Sequence, residues 1–202
     1  MDAPNDMLAL PPAAAVPRPR TLMVGTVLAS ATSVMFFIAM FAIYVGQRQQ
    51  TRAAGIEWFP EGAIRLPPGG MMMITLVLSV GSMAWVQQAI KNDDRRSALI
   101  AFGITLVLGG SVINQTVFYW NDMGIGINDN PASNAAMLMF TITGAHMLMV
   151  IIGLVFMFLM LVRTLIGQYN SRQADGIHAA AFFWYSVVAV YSVIWYAIYI
   201  TK

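Results

Sequence analysis

The sequence predicts an all-α integral membrane protein, a bundle of five transmembrane helices with the N-terminus in the cytoplasm and the C-terminus outside. Of its 202 residues, 58% are hydrophobic and only 10% are charged, whereas a soluble domain carries about 25% charged residues. The charges lie in short segments between five long apolar runs. Each run has the roughly 20 residues that a helix needs to cross a bilayer.

The first 20 residues, MDAPNDMLALPPAAAVPRPR, are rich in Pro and Ala and include acidic residues near the start. A secretory signal would begin instead with a basic region that leads directly into a short apolar core. We therefore expect residues 1–20 to form a disordered tail and the first apolar run to be a retained span. Residues 21–202 are expected to form one five-helix membrane domain.

The apolar runs are expected to be helices because of their length and because apolar and polar residues do not alternate along them, as they would in a barrel strand. Small residues at four-residue spacing, such as Gly25, Ala29 and Ser33, would let these helices pack closely. The predicted spans are Leu22–Gly46, Gly70–Ile90, Ser97–Trp120, Ala135–Val162 and Ala179–Ile200.

Basic residues predict the orientation. With five spans, the tail and the loops KNDDRR and TLIGQYNSRQADG share one side of the membrane. That side carries seven basic residues: Arg18, Arg20, Lys91, Arg95, Arg96, Arg163 and Arg172. The other side carries four: Arg48, Arg52, Arg65 and Lys202. Because cytoplasmic loops are enriched in Lys and Arg, the first side is expected to be cytoplasmic.

One histidine stands inside an apolar run. His146, in MFTITGAHMLMVIIG, lies about 16 Å into the fourth span, close to the bilayer middle. An intramembrane ionisable group is a candidate functional site, and the alternative is a neutral imidazole bonded to a neighbouring helix. No predicted span contains Asp or Glu, which disfavours a proton pump. The second histidine, His178, lies nearly half a membrane away, which disfavours a haem held by two histidines.

Methionine is abundant, with 16 residues that include Met71, Met72 and Met73. Thioethers are soft ligands for Cu(I), so a copper-handling protein is one interpretation. However, Met147 and Met149 do not share the helix face of His146, and methionine commonly fills irregular gaps. We therefore expect the methionines to serve in packing. The chain has no cysteine, which excludes thiolate metal sites and thiol catalysis. We expect no metal or cofactor in this chain.

Several other residues are candidates for interhelical or lipid contacts. Asn114, Gln115 and Tyr119 lie late in the third span, and Trp58 lies in the long loop GQRQQTRAAGIEWFPEGAIRLPPGG. Such residues form interhelical hydrogen bonds or aromatic belts at the membrane surface. The sequence contains no zinc-protease helix motif, nucleophile elbow, phosphate-binding loop or acidic pair, so no catalytic residue is predicted. It also lacks a basic, aromatic-rich nucleic-acid surface.

The chain resembles subunit III of the haem–copper terminal oxidases, in the short bacterial form with five spans. The similarity runs from about Gly25 to Ile200. SATSVMFFIAMFAIY resembles the family's Met-Phe-Phe helix, and WFPEGAIRLPPGG its Trp-Pro-Pro-x-Gly loop. QTVFY is similar to Gln-x-x-Glu-Tyr, and TGAHMLMVIIG to Thr-Gly-x-His-Gly-x-His-Val-x-x-Gly. AFFWYSVVAVYSVIWYAIY resembles the last helix, Tyr-Trp-His-Phe-Val-Asp-Val-Val-Trp.

The chain departs from these patterns at ionisable positions. Ser33 and Phe118 stand where the family has Glu, and Met149 replaces its second His. Tyr185 and Val188 replace the His and Asp of the last helix. The resemblance therefore extends to the scaffold and gives no support for a part in proton supply.

The resemblance implies a non-catalytic, lipid-holding subunit of a respiratory haem–copper oxidase complex in a bacterial cell (inner or plasma) membrane. Such a complex reduces oxygen with electrons from cytochrome c or quinol. Haem and copper would lie in a partner catalytic chain, and the partners would be oxidase subunits I and II and phospholipids. The candidate lipid-binding or interhelical residues are His146, Trp58, Asn114, Gln115, Tyr119 and Trp184.

Two alternatives stay open at this stage. One is a subunit-III-like partner of a nitric oxide reductase. The other, from a different class, is a small-solute or copper transporter, which would need a polar path with ligands at one depth. The spans offer little polarity for such a path. An intramembrane enzyme is disfavoured because the sequence shows no nucleophile–base pair.

Overall fold

The computed structural model describes residues 20–126, 134–171 and 173–201, and within them the chain forms five long helices. All five are long and apolar enough to cross a membrane, which confirms the predicted five-helix membrane bundle. Of the predicted tail, residues 1–19 lie outside the described residues. The helices are α1 (Thr21–Ala53), α2 (Leu66–Lys91), α3 (Arg95–Asp122), α4 (Ala135–Leu165) and α5 (Asp175–Ile194), and a π-helical turn, Trp195–Ile200, continues α5.

The helices extend beyond the predicted spans. Helix α1 continues past Gly46 to Ala53 because the segment QRQQTR is polar but consists mostly of good helix formers. Helix α2 begins at Leu66, before the predicted start, with prolines in its first turn, where the missing N–H groups have no intrahelical acceptor in any case. Apolar length therefore identified each helix but not the residues at which it begins and ends.

Helices α2, α3, α4 and α5 form a four-helix bundle in which each packs against the next and α5 returns to α2. Helix α1 lies on the outside of this bundle, mainly against α5 and to a lesser extent against α4. Helix α5 thus packs against α1, α2 and α4, and more than half of its membrane-crossing segment is buried. The core of the protein therefore surrounds α5.

Polar contacts tie the loops together at both ends of the bundle. We define the amino side as the end that holds Arg20, where the carboxylate of Asp93 accepts hydrogen bonds from the backbone N–H and hydroxyl of Ser171 at 2.7 and 2.8 Å. At the opposite end, the carboxyl side, Arg65 pairs with Asp122 at 3.0 Å. The assignment of the amino side to the cytoplasm stays a prediction.

Asp94 caps the first turn of α3. Its carboxylate accepts hydrogen bonds from the hydroxyl of Ser97 at 2.6 Å and from the backbone N–H of the same residue at 3.1 Å. These bonds are made to the charged form, so they hold the pKa of Asp94 below its ordinary value. They also satisfy a backbone N–H that has no acceptor within the helix.

We predict that Asp94→Ala lowers the unfolding temperature of the detergent-solubilised chain at neutral pH, whereas Asp94→Asn, which keeps an acceptor, lowers it less. A depressed carboxyl pKa stabilises the fold fully above the unfolded pKa of about 4, and this stabilisation is lost as the pH falls through the folded pKa. The difference between the wild type and Asp94→Ala should therefore narrow below about pH 4. Thermal unfolding scans measure this difference in unfolding temperature. A difference that stays constant from neutral pH to below about pH 4 would contradict capping by the charged carboxylate.

Candidate functional site at the helix interfaces

The indole of Trp184 lies where four helices meet. It belongs to α5 and is fully buried, and its Nε1–H donates to the hydroxyl of Ser79 in α2 at 3.0 Å. A Cβ placed on Gly109 of α3 would lie 2.8 Å from Cη2 of the indole, and one on Gly153 of α4 would lie 3.1 Å from Cε3. The two glycines therefore provide the space that the ring fills.

Buried hydroxyl groups extend this contact between α2 and α3. Ser79, which accepts from Trp184, donates its own proton to the backbone carbonyl of Leu76 at 2.6 Å. The hydroxyls of Ser82 and Thr105 hydrogen-bond to each other across the helix pair at 2.8 Å. Every one of these hydroxyls has a partner, which is what a buried polar group inside a membrane protein requires.

His146 joins α4 to α5. The side chain is buried, and its Nε2 lies 3.1 Å from the backbone carbonyl oxygen of Val187. Because a carbonyl oxygen only accepts, Nε2 carries the proton and donates it. The imidazole packs between the rings of Tyr191 and Phe37, with centroids 5.2 and 6.4 Å away. A neutral imidazole is sufficient for every contact that the structure shows.

A small enclosed cavity of about 10 Å³ adjoins His146 and is lined by Tyr119, Thr143, Tyr191 and Tyr199, among others. A volume of this size has room for about one water molecule. The cavity therefore cannot receive a substrate. Tyr119 is buried here, with its ring 5.5 Å from that of Tyr199.

The remaining candidates occupy separate places. Gln115 donates to the hydroxyl of Thr75 in α2 at 3.2 Å. Trp58 is buried at the carboxyl side, where its indole N–H donates to the hydroxyl of Tyr44 at 3.1 Å. Asn114 is exposed on the outer face of α3, with no side-chain hydrogen bond to any part of the chain that the structure describes. Of the six candidates, only His146 and Tyr119 share a cavity; the interhelical or lipid-binding role of the set stays a prediction.

Some residues of these helix interfaces could not be predicted from the sequence. The hydroxyl of Tyr191 donates to the backbone carbonyl of Gly69 at 3.0 Å, and the ring of Tyr199 packs directly on the same glycine. Ser79 and Gly109 likewise become visible only once Trp184 is placed. A lone serine or glycine in an apolar run is too common for its partner to be read from the sequence.

No group of three or more His, Asp or Glu side chains that could hold a metal ion occurs within residues 20–126, 134–171 and 173–201. The methionine triplet does not form a convergent thioether site either. Met71 is 63% exposed, whereas the sulfur of Met72 is buried and accepts from the hydroxyl of Thr116 at 3.5 Å. The sulfur of Met73 lies near Ser192 on α5. These contacts favour packing over copper binding for the triplet.

The sequence is similar over nearly its whole length to one family of membrane proteins. The profile of the family described as "Cytochrome c oxidase subunit III" matches residues 14–202. The chain belongs to this family. The resemblance seen in the motifs is thereby confirmed.

Individual relatives agree with the family match. Each of three similar proteins is described as "Cytochrome c oxidase subunit 3". The protein from Myxine glutinosa is 28% identical over 185 residues, which cover 89% of this chain and 69% of the relative. The proteins from Pylaiella littoralis and Loxodonta africana are 25% and 28% identical, over 88% and 89% of this chain and 66% and 69% of their own lengths. The chain thus spans about two thirds of these relatives.

Three of the positions that depart from the subunit III pattern, Ser33, Phe118 and Tyr185, hold neutral side chains. Ser33 donates to the carbonyl of Ala29 in its own helix at 2.9 Å. The hydroxyl of Tyr185 donates to the side-chain oxygen of Gln87 at 2.8 Å. Phe118 is 67% exposed on α3. None of the three introduces a group that titrates near neutral pH.

We predict that Gly109→Ala destabilises the protein, whereas Gly110→Ala does not. The added methyl at position 109 would collide with Leu154, whose flexible end can move, and with the Trp184 ring, which is confined on all sides. Overpacking of this kind costs about 1–3 kcal/mol. A methyl at position 110 would meet nothing within 4 Å. Thermal unfolding in detergent compares the two variants. Equal unfolding temperatures would contradict the close packing of the Trp184 ring against Gly109.

We predict that His146→Ala lowers the unfolding temperature more than His146→Gln, which keeps an N–H donor near Val187. The loss from the hydrogen bond alone should be about 1 kcal/mol, because measured interhelical bonds in membranes are of this order. Turnover per haem of any oxidase complex that contains the chain should be unchanged in both variants. A loss of turnover in a variant of normal stability would show that His146 does more than join helices.

Proposed function

We propose that the chain is a non-catalytic structural subunit of a respiratory haem–copper oxidase complex. The observation that carries this proposal is the match to the cytochrome c oxidase subunit III family over residues 14–202. The geometry supports it, because the buried polar side chains Trp184, Ser82 and His146 all engage in contacts between helices. Such a bundle can position a neighbouring subunit without taking part in chemistry.

Haem and copper are proposed to lie in a partner catalytic chain, subunit I, accompanied by subunit II. Oxygen would be reduced there with electrons from cytochrome c or quinol. The small cavity beside His146 and the lack of a clustered metal-ligand set among the described residues support a chain that carries neither cofactor itself. The names of the relatives support the same kind of complex.

Phospholipids are proposed as the second class of partner. Helices α1 and α5 form a shallow apolar groove of about 150 Å³, lined by Phe37, Phe41 and Val190 among others. The lining is almost entirely hydrocarbon, so the groove suits an acyl chain and not a headgroup. The aromatic rings in it can contact a lipid that lies between this chain and its neighbour.

The chain is a multi-pass membrane protein. We propose that the membrane is the bacterial cell membrane, with the amino side of the bundle in the cytoplasm and residues 21–202 as one membrane domain that follows a tail. The excess of basic residues on the amino side supports its place in the cytoplasm. The resemblance to the short bacterial form of the family supports the bacterial membrane. The nitric oxide reductase and transporter alternatives gain no support from the described residues.

The test is a gentle detergent purification of the tagged full chain from its native membranes, followed by haem absorbance spectroscopy and mass spectrometry of the co-purified proteins. We expect a haem-bearing catalytic subunit to be recovered in a fixed ratio to the chain, and the spectrum to identify its haem type. An untagged strain processed in parallel is the control. A monodisperse, colourless preparation without a haem-bearing partner would contradict the proposal.

A further inference from the structure

The hydroxyl of Tyr119 is buried but makes no hydrogen bond to any residue that the structure describes. The side chain is 1% exposed, and its hydroxyl oxygen has no partner within hydrogen-bond geometry. The backbone N–H of Arg65 lies nearby but outside that geometry, and an N–H group cannot accept the hydroxyl proton. Tyr191 differs, because its hydroxyl donates to the backbone carbonyl of Gly69 at 3.0 Å.

A buried hydroxyl without a partner is unfavourable. Moving a hydroxyl out of water costs free energy unless a hydrogen bond replaces those that it made to water. Buried polar side chains in native proteins therefore nearly all have a partner, which is either another protein group or an ordered water. The buried hydroxyls of Ser79, Ser82 and Thr105 follow this rule. The hydroxyl proton of Tyr119 therefore needs an acceptor close to it.

The enclosed cavity beside His146 provides the space for such an acceptor. Tyr119 lines this cavity together with His146, Tyr191 and Tyr199. Its volume of about 10 Å³ lies at the lower limit for one water molecule and excludes any larger ligand. A buried water also needs about two to four polar partners to be held in place. The polar groups of the cavity wall therefore decide whether a water can bind there.

The cavity wall offers acceptors for the two protons of a water molecule. Nε2 of His146 carries the ring proton and donates it to Val187, so the other ring nitrogen, Nδ1, is an acceptor. The hydroxyl oxygens of Tyr191 and Tyr199 also have lone pairs, and that of Tyr191 keeps them although its proton is donated to a carbonyl. Helix α3 thus supplies a donor to the cavity, and α4 and α5 with its π-helical turn supply acceptors.

We propose that one water molecule occupies this cavity, accepts the hydroxyl proton of Tyr119 and donates to the acceptors of the wall formed by His146, Tyr191 and Tyr199. The water joins α3 to α4 and α5 at a place where no direct hydrogen bond from Tyr119 does so. A water that bridges two protein groups is nearly as favourable as a direct hydrogen bond. The inference concerns the chain by itself and holds whether or not the chain belongs to an oxidase complex.

The direct test is solid-state NMR of the full chain in bilayers of deuterated lipid, with ¹³C at Cζ of the tyrosines. Magnetisation is transferred for a short time from water protons to the labelled carbons. We expect the signal that disappears in Tyr119→Phe to receive severalfold more water magnetisation than the signal that disappears in Tyr44→Phe. Tyr44 is the matched control, because it is fully buried and its hydroxyl accepts from the indole of Trp58.

A second measurement is the unfolding temperature of Tyr119→Phe in detergent. If a water bridges the hydroxyl to the cavity wall, the substitution removes favourable hydrogen bonds, and the unfolding temperature should fall by about 2–4 °C. If the hydroxyl has no partner, the substitution removes an unsatisfied polar group and the unfolding temperature should rise. Tyr196→Phe is the control, because Tyr196 is 60% exposed and lies in the same π-helical turn as Tyr199. It should change the unfolding temperature little.

The two measurements decide the proposal together. Strong water transfer to Tyr119 with a lower unfolding temperature of Tyr119→Phe supports the bound water. A Tyr119 signal that receives no more water magnetisation than the Tyr44 signal would overturn it. A rise in the unfolding temperature of Tyr119→Phe would overturn it as well, because that result shows a hydroxyl without a partner.

Discussion

The packing and hydrogen bonding of the Trp184 side chain fix the relative positions of four helices. Its ring occupies the space left by Gly109 of α3 and Gly153 of α4, and its N–H reaches Ser79 of α2. Lipid tails are as apolar as the helix surfaces, so no hydrophobic force drives helices together inside a membrane, and shape and hydrogen bonds must do so. The Trp184 ring packs against two glycines and donates a hydrogen bond to one hydroxyl, so it supplies both the complementary shape and the hydrogen bond. Because Trp184 belongs to α5, the core surrounds this helix.

The same constraint accounts for the placement of the buried polar side chains that the structure describes. His146 is held by Val187 of α5, and the hydroxyls of Ser82 and Thr105 hold each other. These hydrogen bonds join neighbouring helices, so each of these groups has a structural role. Such a rigid bundle has its working surface on the outside, where a neighbouring subunit and lipids can be held. In the proposed function, this outer surface is what the chain would contribute to a respiratory complex.

The fold class could be predicted because apolar run length and charge placement report directly on membrane crossing. The partner of each internal contact could not be predicted. Asn114 and Gln115 are adjacent and similar, yet one is exposed and the other bonds to Thr75. Gly109 and Gly110 are likewise adjacent, and only the first is filled by an aromatic ring. Which neighbour faces inward depends on the rotation of α3 about its axis, and a helix that is apolar all round gives little pattern from which to read that rotation.

We propose that this chain holds a catalytic subunit in place without taking part in its chemistry. The most direct measurement compares the haem-bearing complex purified with and without this chain, recording the initial turnover per haem and the unfolding temperature of the catalytic subunit. We expect an unchanged initial turnover together with a lower unfolding temperature when the chain is missing. An immediate loss of turnover in a catalytic subunit that keeps its haem and its unfolding temperature would contradict it.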